Sequence, residues 1–222
     1  MSSLANAPAI EVRDVSKRFR IYREKPTSLK QRLLTSRSRA EDFWALRDVA
    51  LDVGEGSTFG LIGHNGSGKT TLLKCVAGIL RPTSGAILQR GRLAALLELG
   101  AGFHPELTGR ENVYLNASFL GLSRKQTDAA FDDIVAFAEL ERFIDTEGKF
   151  YSSGMLVRLG FAVAVYVEPD VLLIDEVLAV GDEAFQAKCL NRVREFQREG
   201  RTIVLVTHAL DTVREVCDAA VM

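Results

Sequence analysis

Gly63, Gly68, Lys69 and Thr70 stand at the spacing G-x-x-x-x-G-K-T inside the stretch STFGLIGHNGSGKTTLLKCVAGIL. Glycines let successive backbone N–H groups curl round an anion without Cβ clashes, and the start of the helix that follows adds the positive end of its dipole. That combination holds a polyphosphate. Lys69 is placed to reach the β- and γ-phosphates and the Thr70 hydroxyl to ligate Mg²⁺. The whole run Gly63, His64, Asn65, Gly66, Ser67, Gly68, Lys69, Thr70 and Thr71 is the candidate nucleotide-binding set. The side chains of His64 and His104 fall in Gly-rich or Pro-containing loops, where exposure is the better default than ligation.

A metal held by Thr70 needs a second oxygen ligand at the end of a neighbouring buried strand. DVLLIDEVL supplies Asp175 and Glu176, the first to help hold Mg²⁺ through water and the second to orient an attacking water. The alternative is a solvated acidic pair closing a strand. TIVLVTH ends in His208, which emerges on the same sheet edge and can reach the γ-phosphate; the alternative is a satisfied structural histidine.

These groups have to be positioned by particular elements. Phe59–Ile62, Val171–Ile174 and Thr202–Thr207 are short apolar runs of the kind parallel strands show when both sheet faces are covered. After the glycines, Leu72, Leu73, Val76 and Ile79 share one face of a predicted helix. Thr108-x-x-Glu111 and Ser123-x-x-Gln126 are capping boxes, the second followed by Ala130, Phe131, Ile134, Val135 and Phe137 at mostly helical spacing. A helical lobe is therefore expected inside an α/β core. Its last helix opens with YSSGMLVRLGFAVAV, where Ser152, Ser153 and Gly154 leave N–H groups at a helix N-terminus, a second anion site. One chain cannot easily aim both anion sites at one phosphate; two chains placed head to tail can.

The 222 residues are 47% apolar, enough for a buried core, and no uninterrupted apolar segment reaches the roughly 18 residues that mark a spanning helix. MSSLANAPAIEVRD lacks the basic start and apolar run of a secretory signal, which predicts a cytosolic chain. Cys75, Cys189 and Cys217 are far apart and odd in number, so no disulfide framework or Cys-based metal site is readable. The net charge of -1 hides an asymmetry, because residues 17–39 hold nine Lys or Arg against Glu24 alone. That basic arm is either a solvated helix face or a surface for an anionic partner.

The motifs together resemble the ATP-binding cassette (ABC) family over nearly the whole chain, from IEVRDVSKRF to CDAAVM. YSSGM stands where the family reads L-S-G-G-Q, with Arg158 at the expected following position; Asp182 of AVGD stands at the dimer-bridging loop, and His208 at the switch histidine. Tyr151 and Met155 depart from the usual Leu and Gln. The resemblance implies a RecA-like P-loop NTPase core, at about residues 1–99 and 169–222, with an antiparallel β layer and a helical subdomain at about 100–168. It also implies an ATP sandwich, in which Ser153 and Gly154 of one subunit of a homodimer close on the γ-phosphate held by Lys69 of the other. An aromatic residue just after the first strand would stack on adenine, a role open to Phe19 or Tyr22; the alternative is that either packs beneath the basic arm. The family's metal-near Gln is missing, and Glu98 is its substitute unless Leu99 is the residue in register; the alternative for Glu98 is a surface residue that caps the bend. Where the chain closes, the family continues, so a C-terminal continuation is expected beyond it.

LLELGAGFHPELTGRENVYLNASFLGLSR, YSSGMLVRLGFA and DEVLAVGDEAFQAKC are similar to one branch, the ATPase subunits of bacterial exporters of surface polysaccharides such as lipopolysaccharide O-antigen and teichoic acid. The extra segment of about two dozen residues between Phe19 and Trp44 is similar to that branch too. The implied partners are a polytopic membrane permease, a lipid-linked polysaccharide and the inner-membrane surface, reached from the cytoplasm through the basic insertion (17–39, with the insertion proper at about 20–43). Leu29, Leu33 and Leu34 beside Lys30, Arg32 and Arg37 form a short amphipathic pattern suited to that surface. Nucleic acid is not expected: ABC proteins acting on ribosomes or DNA normally carry two cassettes or a long coiled-coil insertion.

Overall fold

Two long strands, β1 (Ile10–Tyr22) and β2 (Ala40–Val53), run antiparallel, and β4 (Ser84–Gln89) joins β1 on its other side to complete a three-stranded sheet in the order β2-β1-β4. The computed structural model describes residues 7–22, 40–97, 102–175, 182–207, 213, 214 and 216–221, with Tyr22 and Ala40 as backbone only. A second, parallel sheet is built from β3 (Thr58–Leu61), β5 (Leu93–Leu96), β6 (Val171–Asp175), β7 (Thr202–Val206) and β8 (Ala219–Val221), in the order β5-β6-β7-β3-β8.

The continuous apolar runs of β6 and β7 follow from burial on both faces. Leu172, Ile174, Ile203 and Leu205 face one core with Ala94 and Leu96 of β5. Val171, Leu173, Val204 and Val206 face the other, with Ile10, Val12 and Val15 of β1. Side chains alternate across a strand, so a strand covered on both sides has no position left for a polar residue until it ends. Each such buried Val, Leu or Ile contributes about 1.5–3 kcal/mol against leaving it in water.

On the β1 side, α1 (Lys69–Val76) inserts Leu72, Leu73 and Val76. Ile79, expected on the same helical face, is instead outside the helix and exposed. Gly78 follows the C-cap at φ +73°, a left-handed conformation that ends the helix and turns the chain outward.

The opposite core belongs largely to the inserted helices α2 (Gly109–Phe119), α3 (Arg124–Ala138) and α4 (Ser153–Tyr166), with a 3₁₀ turn at Gly148–Phe150. Both capping boxes form. The Thr108 hydroxyl accepts from Glu111 N at 3.2 Å while the Glu111 carboxylate accepts from Thr108 N at 2.8 Å, and Ser123 and Gln126 repeat the pattern. Phe131, Ile134 and Val135 of α3 bury against α4, whose Phe161 stacks on Phe137 at 5.9 Å between ring centroids. Phe185 of α5 (Glu183–Arg198) meets both rings edge-on, tying this lobe to the core.

The basic run begins as strand: Lys17 to Tyr22 belong to β1 and pair with residues 40–46 of β2. Asp42 neutralises Arg18 at 2.9 Å and Arg20 at 3.4 Å, and the guanidinium groups of Arg18 and Arg47 lie over Trp44. Residues 23–39, with the leucines and cations of the expected amphipathic helix, lie outside the described residues. Among the described residues no helix is long and apolar enough to cross a membrane.

Candidate active site

Three strand ends lie level. Leu61 at the end of β3 is opposite Val206 of β7, and Val206 is opposite Asp175 at the end of β6. The glycine-rich loop, the segment after Thr207 and the segment after Asp175 therefore leave the sheet along one edge, the C-terminal edge where open parallel sheets bind their ligands.

The loop is shaped by steric limits as well as by hydrogen bonds. Gly68 caps α1 at φ +97°, and a Cβ there would stand 2.7 Å from the Ala45 carbonyl oxygen and 2.9 Å from Leu46 Cδ2. Only glycine satisfies both the left-handed backbone and the approach of β2 behind it. Lys69 Nζ donates to the carbonyls of Gly63 at 2.6 Å and His64 at 3.0 Å, which sets the ammonium across the loop it would serve. His64, Asn65, Gly66 and Ser67 are exposed at the tip, and Thr71 is half-buried in the first turn of α1. A cavity of about 250 Å³ adjoins the loop, with Leu46, Val49 and Leu51 on one wall and Gly63, Gly68 and Lys69 on another.

Thr70 Oγ1 donates to Asp175 Oδ2 at 3.0 Å. Two hard oxygens, a hydroxyl and a carboxylate, thus meet at the first turn of α1, one residue along the chain from Lys69. That donor set fits Mg²⁺, which is held by one or two protein oxygens and fills the rest of its octahedron with phosphate and water. Glu176, His208 and Glu98, the other groups expected here, lie outside the described residues, as does Leu99.

Phe19 is partly exposed on β1, pairs across the sheet with Phe43, and carries Lys17 Nζ at 5.2 Å from its ring centroid. The backbone of Tyr22 ends the same strand, while its side chain lies outside the described residues.

The helix start expected as a second anion site belongs to α4 of the helical lobe. Ser152 caps α4, its hydroxyl accepting from Met155 N at 3.2 Å, so this side chain closes its own helix. Ser153 is exposed, and the first-turn N–H groups of Ser153 and Gly154 have no intrahelical acceptor by the geometry of a helix start. Asp182 caps α5 by accepting from Phe185 N at 2.9 Å and pairs with Arg158 of α4. The Phe185 N–H first, and then Arg158, hold the Asp182 carboxyl below its usual range. Arg158 also meets Glu139 at 2.7 Å and lies over the Phe185 ring at 4.9 Å.

The structure thus brings Thr70 to Asp175 at the sheet edge from which the loop of Gly63, Gly68 and Lys69 departs, and brings Arg158 of α4, the helix that Ser152, Ser153 and Gly154 open, to Asp182. Three contributors carried no signal in the sequence. Ala45 and Leu46 back the glycine loop from another strand, and Glu139, in the left-handed region at φ +59°, completes the ring of charge around Arg158. The cysteines take no part: burial pushes Cys75 and Cys217 up and Cys189 to about 12, which leaves the unreactive thiol at neutral pH.

Comparison with known proteins gives this arrangement a family. Residues 46–179 match the ABC transporter family model. The O-antigen export system ATP-binding protein RfbB of Klebsiella pneumoniae is 46% identical over 219 residues, covering 96% of this chain and 89% of that protein. The teichoic acids export ATP-binding protein TagH of Levilactobacillus brevis is 43% identical over 213 residues, covering 96% of this chain and 59% of its own length. A solved ATP-binding subunit of an ABC transporter superposes with a TM-score of 0.76 at 28% identity, over 96% of this chain and 85% of that one. A dimeric ATP-binding cassette bound to ADP and Pi shares the fold, with a TM-score of 0.72 at 23% identity over 93% and 91% of the two chains. With its P-loop, parallel sheet, antiparallel layer and inserted helices in place, the chain belongs to the ABC transporter family of ATPases.

Proposed function

We propose that this chain hydrolyses ATP as half of a head-to-tail homodimer that drives a lipid-linked, O-antigen-like polysaccharide out through a separate membrane permease. The observation that carries the ATPase half of this reading is the meeting of Thr70 with Asp175 beside Lys69 at level strand ends. Lys69 exchanges its loop carbonyls for the β- and γ-phosphate oxygens. Thr70 and Asp175 hold Mg²⁺, which when bound neutralises charge developing on the transferred phosphoryl group. Glu98 is a third oxygen near that metal.

Glu176 orients the water and His208 contacts the γ-phosphate. Phe19 or Tyr22 stacks on adenine, and Ser153 and Gly154 of the partner close the site through the N-terminal dipole of α4. Asp182, already bound to Arg158 of α4, carries the dimer contact. Subdomain limits near 100 and 168 follow the same reading.

The relatives support the substrate class. Those named for O-antigen export are 46–50% identical, and those named for teichoic acids export 40–43%. The gap favours an O-antigen-like glycan over teichoic acid. The subunit would sit peripherally on the cytoplasmic face of the inner membrane, its basic insertion against anionic headgroups worth on the order of 1 kcal/mol per engaged Lys or Arg.

Three outcomes test this reading. Asp175→Asn should leave ATP affinity in EDTA unchanged within about twofold, yet cut the gain in affinity on adding Mg²⁺ by about 10- to 100-fold, the scale of one lost charge-assisted contact. An unaltered Mg²⁺ titration would take Asp175 out of the metal site. Glu176→Gln should keep ATP binding while turnover drops by about 10² to 10⁴, the usual range for a positioned base; near-normal hydrolysis would sink its assignment. Replacing Lys30, Arg32, Arg37 and Arg39 with Gln should impair glycan export in cells and spare ATPase activity of the isolated chain. Normal export with collapsed ATPase would move the arm to the nucleotide site.

A further inference from the structure

Tyr151 is where this chain departs from the family's usual leucine, and its side chain is buried directly before the Ser152 cap. Its hydroxyl donates to the Phe143 carbonyl at 2.7 Å. The hydroxyl also lies against Gly109, the first residue of α2. A Cβ on that glycine would stand 2.0 Å from Tyr151 Oη and 2.9 Å from the Ile144 carbonyl oxygen. The phenol leaves room at this first position of α2 for nothing larger than glycine.

Around this contact two segments are laced together by their backbones. Arg110 N donates to Ile144 O at 2.7 Å, Gly109 N to Thr146 O at 3.0 Å, Gly148 N to Leu107 O at 2.8 Å and Lys149 N to Pro105 O at 2.8 Å. Asn112, buried, closes the other side. Its amide nitrogen reaches the His104, Leu107 and Thr108 carbonyls at 3.0–3.1 Å and its oxygen accepts from His104 N at 2.7 Å. The segment by which the chain enters the helical lobe and the segment that delivers residues 152–154 are therefore one clasp. Burial raises the Tyr151 hydroxyl above the usual phenol range, so it remains a donor throughout the physiological range.

We infer that Tyr151 is a positioning residue, whose phenol, wedged between Gly109 and the Phe143 carbonyl, fixes the Ser152–Gly154 turn at the angle at which it meets ATP held by a second chain. The inference rests on the head-to-tail reading. Without the hydroxyl the Ser152 cap persists, but the turn loses its fixed relation to the clasp. The loss then falls on turnover at the partner's site and spares nucleotide binding by the same chain.

Heterodimers purified through two affinity tags test this. Lys69→Ala paired with Ser153→Arg retains one intact composite site and sets the reference rate. Adding Tyr151→Phe to the Lys69→Ala chain, which supplies the working turn, should lower kcat by about 5- to 20-fold with KM for ATP within about twofold, the scale of one buried hydrogen bond lost and its carbonyl stranded. Adding Tyr151→Phe to the Ser153→Arg chain, which supplies the working Lys69, should leave the reference rate unchanged. Gly109→Ala, which drives a methyl into the phenol, should show the same one-sided loss. Equal losses in both placements would mean general destabilisation, and no loss in either would mean the hydroxyl is idle; each overturns the inference. A reference pair without activity, despite verified heterodimers, would bring down the two-chain reading itself and this inference with it.

Discussion

The contact on which the rest of the structure depends is the one between Thr70 and Asp175, residues 105 positions apart whose oxygens meet at 3.0 Å. Thr70 rides on the first turn of α1 and Asp175 ends β6, with β7 lying between β6 and β3 in the sheet. Their meeting therefore requires that β3, β7 and β6 stop at the same height. A slip of one residue in β6 would swap Leu172 and Ile174 with Leu173 and Val171 between the two cores and carry Asp175 out of line. Burial on both faces makes that register specific, because the two sides are packed by different partners, helices on one and the β1 layer with α1 on the other.

The helical lobe answers a different constraint. The start of α4 is exposed at Ser152 and Ser153, and holding it rigidly asks for attachments farther along the helix and at its sides. The aromatic cluster of Phe137, Phe161, Phe185 and Tyr166 supplies the apolar part, each ring pair contributing about 0.5–1.5 kcal/mol beyond its buried area. Arg158 supplies the polar part by joining Glu139, Asp182 and the Phe185 face. These ion pairs are substantially exposed, so their value lies in orientation more than in stability. Asp182 thus both caps α5 and ties it to α4 through Arg158.

Much of this was legible in the sequence wherever the signal is local. The glycine loop, the two capping boxes and the runs of β6 and β7 each follow from rules that act within a few residues, and the structure places them accordingly. Ile79 was misplaced for an equally local reason, since helical spacing alone continues past a glycine that in fact ends the helix. Lys17 to Tyr22 looked like the start of a charged arm, whereas Asp42 and Trp44 on the facing strand make those residues compatible with a sheet. What could not be read were pairings between distant segments: Ala45 and Leu46 behind Gly68, Glu139 beside Arg158, and Tyr151 against Gly109. In each the sequence shows an unremarked residue, and only the fold shows what it touches.

The central claim is that a complete active site takes two chains, and the turnover of the unmodified protein as a function of its own concentration examines it most directly. With ATP and Mg²⁺ saturating, sites shared between chains require ATPase activity per chain to fall on dilution, becoming proportional to concentration once monomers dominate, and to level off when dimers saturate. Turnover per chain that stayed constant from micromolar to low nanomolar protein, where sedimentation shows only monomer, would contradict the claim and place the whole site within a single chain.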